Sequence, residues 1–281
     1  MRIWFVLFML SVFTIGCSQV EKNYYDHRMY DLAQEEITTL SEVLPNLTMN
    51  RIILVGEFHN NKAHHESQLH IIRAVFESGV PLAIGFEMFQ SESQSDIDKW
   101  VSGKLNVKEF KRIYYENWNF PWELYSPIFE LARKNKVPMV GLNVSRDITR
   151  QVSQMGFKSL SEKQKGKLSE VSCRVDKEYM DFIKNAFGAH AHGELNFTHF
   201  CEAQLIWDNV MAINALAFLD KNPDYTIILI TGSGHARKKG IPKQISKRSN
   251  LSYAVILPEV SGSISPKTIT GENADYIIMG H

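Results

Sequence analysis

Residues 51–68, RIILVGEFHNNKAHHESQ, decide how the chain folds. Ile52, Ile53, Leu54 and Val55 form an unbroken apolar run, the pattern of a strand buried on both faces. Gly56 closes the run, and Glu57 and His59 follow at once in a polar turn. His64, His65, Glu66 and Gln68 then lead into Leu69, Ile71, Ile72 and Val75, spaced as one face of a helix. Ligands of a parallel α/β sheet sit just beyond the carboxyl ends of its strands. That turn is the first place to look for function.

Downstream the same alternation continues. Pro81–Phe86 predicts a second strand with Glu87 at its end, and Pro138–Asn143 a third. Between them lie helical patterns over Ser91–Ser102, Val107–Tyr115 and Tyr125–Asn135, the last with Ile128, Leu131 and Ala132 on its core face. Strand, helix, strand in this rhythm predicts right-handed βαβ units and a parallel sheet. From Asp147 the rhythm breaks, and no strand-like run returns before Thr226. Short helices are expected at Ile148–Gln154, Ser161–Cys173 and Val175–Phe187. A long apolar helix follows over Thr198–Leu219, interrupted by Gln204, Trp207 and Asp208.

Tyr225–Ile230 is another buried strand and runs into Gly232-Ser233-Gly234-His235. An apolar strand, a glycine and a histidine three residues on thus occur twice. Tyr253–Leu257 predicts a final strand and Tyr276–Met279 an edge strand. The expected fold class is α/β, a parallel sheet flanked by helices with a smaller inserted all-helical subdomain. Its α/β domain would comprise residues 18–146 and 201–281, with 147–200 helical. Residues 18–50 read as polar and irregular, a tether over Val20–Arg28 and a helix or turn over Leu32–Leu44.

Met1-Arg2, the apolar stretch Ile3–Ile15 and Gly16-Cys17-Ser18 read as an export signal over residues 1–17, too short to span a bilayer comfortably. Thr14-Ile15-Gly16-Cys17 resembles a bacterial lipobox, which makes Cys17 the expected lipidation site. Lys+Arg 31 balances Asp+Glu 31, so charge gives no argument for a nucleic-acid partner. Three cysteines exclude a disulfide scaffold.

Glu57, His59 and His65 share one strand-end turn, and Glu87 and His235 end two other strands. Buried unpaired, each would be costly. They can cap helices and satisfy one another, or they can form a working site on the carboxyl rim. Two histidines and two carboxylates can hold a divalent metal that activates water, or do acid–base work without one. Their spacing is not HExxH and does not choose between these.

GEFH at Gly56–His59, with His65 and Gln68, resembles the opening motif of the ChaN-like haem-binding lipoproteins of iron-regulated haem uptake. Phe86-Glu87-Met88, Gly141-Leu142-Asn143 and Ala203-Gln204-Leu205 continue the likeness in order. So do Trp207-Asp208, Met211-Ala212 and GSGH with Gly240-Ile241-Pro242. The same superfamily resembles erythromycin esterases and the TraB/Tiki group, hydrolases that use paired GxxH motifs and glutamates.

The resemblance implies a haem carrier without chemistry of its own, lipid-anchored at the bacterial outer membrane and serving a haem receptor there. It implies haem iron held by a tyrosine, with a histidine and a lysine reaching the propionates from a second subunit, so that haem binding is tied to a homodimer. A single phenolate prefers ferric iron and can surrender the haem to a partner. Carried onto this chain, the ligand is Tyr179, in the helical stretch near Lys177 and Lys184, which would favour its phenolate. Tyr125 and Tyr115 are the fallback ligands, and Tyr179 also fits an ordinary core position. His190 or His192 with Lys184 are the propionate residues, although Ala189–His192 reads equally as a solvated loop. The alternative function is a metal-dependent hydrolase acting through the Glu57, His59, His65, Glu87 and His235 rim.

Overall fold

The computed structural model describes residues 25–168, 170–171, 173–187 and 197–280. Cys17 with its leader, His190 and His192 lie outside the described residues. The amino-terminal part holds strands β1 (Arg28–Asp31) and β2 (Glu36–Thr39), helix α1 (Leu40–Thr48), strand β3 (Ile52–Glu57) and helix α2 (Lys62–Glu77). Strand β4 (Leu82–Gln90), helices α3 (Gln94–Val101), α4 (Val107–Asn117) and α5 (Trp122–Asn135), and strand β5 (Met139–Asn143) follow. Next come helices α6 (Arg146–Met155), α7 (Glu162–Gly166), α8 (Lys177–Phe187) and α9 (Phe197–Lys221). Strand β6 (Thr226–Gly232), helices α10 (Ser233–Ala236) and α11 (Ile241–Ser246), and strands β7 (Tyr253–Pro258) and β8 (Tyr276–Ile278) complete the order.

The eight strands among the described residues join one sheet, ordered β2-β1-β8-β7-β3-β6-β4-β5. It is parallel from β8 through β5, and β1 runs antiparallel to both its neighbours. The continuous apolar runs have a direct cause. β3 and β6 are buried along their whole length, so both faces of Ile52–Val55 and Ile227–Ile230 are apolar. Ile53, Val55, Ile228 and Ile230 pack under α2 to α5 with Ile71, Trp100, Phe110 and Phe129. On the other face, Ile52, Leu54, Ile227 and Leu229 meet Met211, Ala215 and Leu219 of α9 and Ile241 and Ile245 of α11. Caps set the helix starts: Asn61 accepts from the Ala63 and His64 amides at α2, and Asn106 and Glu109 close a capping box at α4.

Between Asn143 and Thr226 no strand occurs among the described residues. Helices α6 to α8 rest instead on α9, in two small apolar clusters of their own. Ile148, Val152, Leu160 and Leu168 meet Ala203 and Ile206, while Tyr179, Phe182 and Ile183 meet Cys201 and Leu205.

Three expectations need correction. Residues 28–48 are not irregular: β1 and β2 form a hairpin, and α1 follows with a Thr39–Glu42 capping box. β8 is no edge strand, because the hairpin adds outside it and leaves it between β7 and β1. β4 runs past Phe86 to Gln90, so Glu87 lies inside a strand and not at its end. Its pairing with β5 is regular to Phe86↔Gly141 and resumes only at Gln90↔Asn143, so Glu87 falls in the irregular stretch. A Cβ at Gly141 would lie 2.7 Å from the Gln90 carbonyl oxygen, so this close approach requires glycine.

Candidate functional site

The register of β3 against β6 builds the site. Gly56 pairs with Thr231 and Glu57 with Gly232, so the two GxxH turns leave the sheet side by side at one rim. The first turn is pinned by the Phe58 amide, which donates to His64 Nδ1 at 3.0 Å, and by the Asn61 cap of α2. The second passes directly into α10. A Cβ at Gly232 would lie 3.2 Å from His59 Cε1, so glycine lets the imidazole lie against the neighbouring turn.

Glu57 is buried and surrounded by donors. Its Oε1 accepts from the Tyr125 hydroxyl at 2.5 Å and from His59 Nδ1 at 2.7 Å. His65 Nδ1 is 3.2 Å from Oε2, an ion-pair contact only, since its hydrogen bond goes to Gln68 Oε1 at 3.1 Å and leaves Oε2 without an aligned donor. His65 Nε2 faces the His59 carbonyl oxygen at 3.2 Å, so both ring nitrogens have acceptors. Burial raises the Glu57 pKa, but the hydrogen bond from His59 and the positive charge of the close His59 and His65 imidazoles overcome it and hold the carboxyl far below the ordinary range. Burial lowers both imidazoles, yet Glu57, with Glu87 at His59 and the His59 carbonyl and Gln68 at His65, raises each above the usual histidine value.

A second histidine–carboxylate pair stands opposite. His235 Nδ1 is 2.7 Å from Asp208 Oδ1, and Asp208 Oδ2 accepts from the Tyr179 hydroxyl at 2.6 Å. Here burial wins: Asp208 is raised above the ordinary carboxylate value, against the pull of His235 and Tyr179, with Glu87 adding to the rise. His235 is also raised, because the charges of Glu87 and Asp208 outweigh its burial. Glu87 lies between the two pairs. Its Oε2 accepts from the Gly232 amide at 2.7 Å, and its Oε1 is 4.0 Å from both His59 Nε2 and His235 Nε2.

Glu57, His59, Glu87 and His235 therefore converge as expected, with His65 one layer behind Glu57. Among the described residues no group of three or more His, Cys, Asp or Glu is arranged to hold a metal ion. The rim side chains pair with one another in acid–base couples instead. Over them opens a cavity of about 870 Å³ whose lining includes Phe58, His59, Phe120, Ser233, Arg237 and Ile264. Trp118 meets His59 edge-on at 5.0 Å, and Phe120 lies 5.1 Å from the same ring.

The tyrosines fall differently from expectation. Tyr179 is 5 % exposed and tied to Asp208, and burial followed by the Asp208 charge pushes its phenol well above the ordinary value. Lys177 and Lys184 lie on the exposed side of α8, so the idea that they favour its phenolate is not met here. Tyr125 is fully buried on Glu57, while Tyr115 is 43 % exposed with its hydroxyl accepting from the Trp122 amide. Lys184 precedes Asn185 and Ala186, which line the cavity.

Asp208, Tyr125 as a partner of Glu57, and Arg237 were not singled out for this rim from sequence. Asp208 had a signal: it is an acid in the middle of a long, mostly apolar helix, and such a carboxylate needs buried partners. The Tyr125–Glu57 bond spans 68 positions, and no local pattern reveals it.

The family model for haem-binding uptake proteins of the Tiki superfamily, ChaN, matches residues 43–245, and the chain belongs to this family. ChaN of Campylobacter jejuni, in a structure of cofacial haem binding, superposes with a TM-score of 0.71 at 20% identity. The match covers 90% of this chain and 96% of that one, and it shows a common fold. An erythromycin esterase mutant in its open conformation gives a TM-score of 0.49 at 14% identity, covering 78% of this chain and 72% of that one. Protein RETICULATA-RELATED 5, a chloroplastic protein of Arabidopsis thaliana, is 21% identical over 223 residues, 70% of this chain. The chain spans 29% of that protein's length.

Proposed function

We propose that this protein carries haem in iron uptake, with the haem seated in the cavity above the histidine–carboxylate rim. The family match over residues 43–245 carries the proposal. The cavity fits it: at about 870 Å³ it lies within the usual range of small-molecule sites, and Phe58, Phe120 and Ile264 give it apolar wall. Bound haem would supply a ferric iron with an axial position for a protein ligand.

Tyr179 is the proposed ligand. Its phenol, held well above its ordinary value, donates to Asp208 Oδ2 over 2.6 Å, and burial has made that carboxyl more basic. Transfer of the proton to Oδ2 leaves a phenolate, the form in which tyrosine holds ferric iron. Lys184, with His190 or His192, is proposed for the propionates of a haem on a second copy. That assigns the haem-loaded protein as a homodimer, in keeping with the cofacial haems of the Campylobacter protein. The carrier would be lipid-anchored through Cys17 at the outer membrane, where a haem receptor is its partner.

Titration of the purified protein with ferric haem should give a stoichiometric Soret band with the spectrum of a five-coordinate phenolate. Tyr179→Phe should lose that spectrum and keep the fold. An unchanged spectrum would move the ligand to Tyr115 or Tyr125. Fatty-acid labelling should mark the wild type and not Cys17→Ser, and equal labelling of both rejects the anchor.

One observation favours a second reading. Two histidine–carboxylate pairs facing each other across Glu87 form an acid–base apparatus suited to hydrolysis. Absence of haem binding, with ester cleavage lost in His235→Gln, would replace the carrier by a hydrolase.

A further inference from the structure

Three cations follow one another at Arg237, Lys238 and Lys239, and they are not treated alike. Lys238 Nζ is 2.6 Å from Asp275 Oδ1, and Lys239 Nζ is 3.4 Å from Glu178 Oε1. Among the described residues Arg237 has no ion pair, although it lines the cavity and its Nε is buried without a hydrogen-bond partner. Burial alone lowers its basicity, with no anion to restore it. The contrast extends along the rim. Glu57 is matched by His59 and His65, and Asp208 by His235. Glu87 takes the Gly232 amide. Ser233 Oγ, in the same cavity, is likewise buried without a partner.

Arg237 is half-buried, and a guanidinium whose Nε is withdrawn from water without a partner is costly unless something arrives to pair with it. Its planar fork matches a carboxylate with two parallel hydrogen bonds, which a lysine cannot reproduce. The apolar wall of Phe58, Phe120 and Ile264 beside it suits the body of an amphipathic ligand whose acidic end reaches Arg237.

We propose that Arg237 and Ser233 Oγ form a carboxylate subsite inside this cavity, which receives one acidic side arm of a tetrapyrrole within the same subunit. This rests on the haem-carrier reading and adds a contact made by the carrying chain itself. The step is pure recognition, and no bond is made or broken.

Iron-free protoporphyrin IX and its dimethyl ester separate the subsite from the iron bond, with porphyrin fluorescence as the readout. The wild-type protein should bind the free acid roughly tenfold to a hundredfold more tightly than the ester, as a hydrogen bond to a charged group implies. Arg237→Gln should lose that preference and keep the ester affinity, which also shows that its cavity is intact. Arg237→Lys should recover part of it. With ferric haem, Arg237→Gln should weaken binding and leave the shape of the Soret spectrum unchanged. Equal binding of acid and ester by the wild type, or a preserved preference in Arg237→Gln, overturns the subsite while haem binding stands. A wild type that takes up neither porphyrin nor haem overturns the subsite and the carrier reading together.

Discussion

Glu57 and Asp208 are both buried, both accept a tyrosine hydroxyl, and each holds at 2.7 Å the histidine that ends one of the two GxxH turns. They nevertheless answer burial in opposite ways. Glu57 has two imidazoles, His59 and His65, and is held firmly ionised. Asp208 has one, faces the negative Glu87, and is pushed toward holding a proton. The second imidazole decides the sign. One side of the rim is a fixed charge that anchors structure, and the other is a group able to accept a proton.

The largest expected effect breaks this contrast directly. Glu57→Ala removes the anion from a pair of buried imidazoles and should cost about 3–5 kcal/mol in urea unfolding. Asp208→Asn keeps the volume and one acceptor and should cost about 1–3 kcal/mol. The reverse order would show that Asp208 is the structural anchor. A smaller effect sharpens the contrast through pH. Glu57, depressed below 4.5, contributes stability present above that value and lost only in strong acid. His59 and His65, raised above 6.5, contribute stability present in full below that pH and lost as pH rises through their folded values. Asp208, raised above 3.8, adds to the decline as pH rises through its own titration. Thermal melting should therefore fall above about pH 6.5 by a few degrees. The decline should be shallower in His65→Gln, and an equally steep decline there would remove the charged imidazole from the account.

Much of the frame was legible beforehand for one physical reason. β3, β4, β5, β6 and β7 are buried on both faces along most of their length, so their sequences carry long apolar runs and stand out against the helices. The paired GxxH turns followed, because parallel strands bring like ends to one side. What escaped had no such imprint. Arg28–Asp31 and Glu36–Thr39 are four-residue strands at the sheet margin, largely open to water and free to be polar. Met88 and Phe89 carried β4 past Glu87, but the irregular pairing there hides the alternation. Tyr179 lies on the apolar face of α8 seen in the sequence. Its tie to Asp208 required knowing that α8 packs on α9. Arg237 looked like one of three basic residues, and only the partners of the other two set it apart.

The placement of β8 sets a timetable. Within the sheet β1 pairs only with β2 and β8, and β8 is residues 276–278, last of the strands in chain order. Every acid–base side chain of the rim lies at or before residue 235, whereas the chamber wall also takes in Ile264, Thr268 and Asn273, close to β8 in the chain. The ribbon 28–39, although synthesised early, finds its seat in the sheet only when β8 arrives. The acid–base rim and the margin of the sheet are thus completed by different parts of the chain, the first by residues up to 235 and the second by a strand at 276–278.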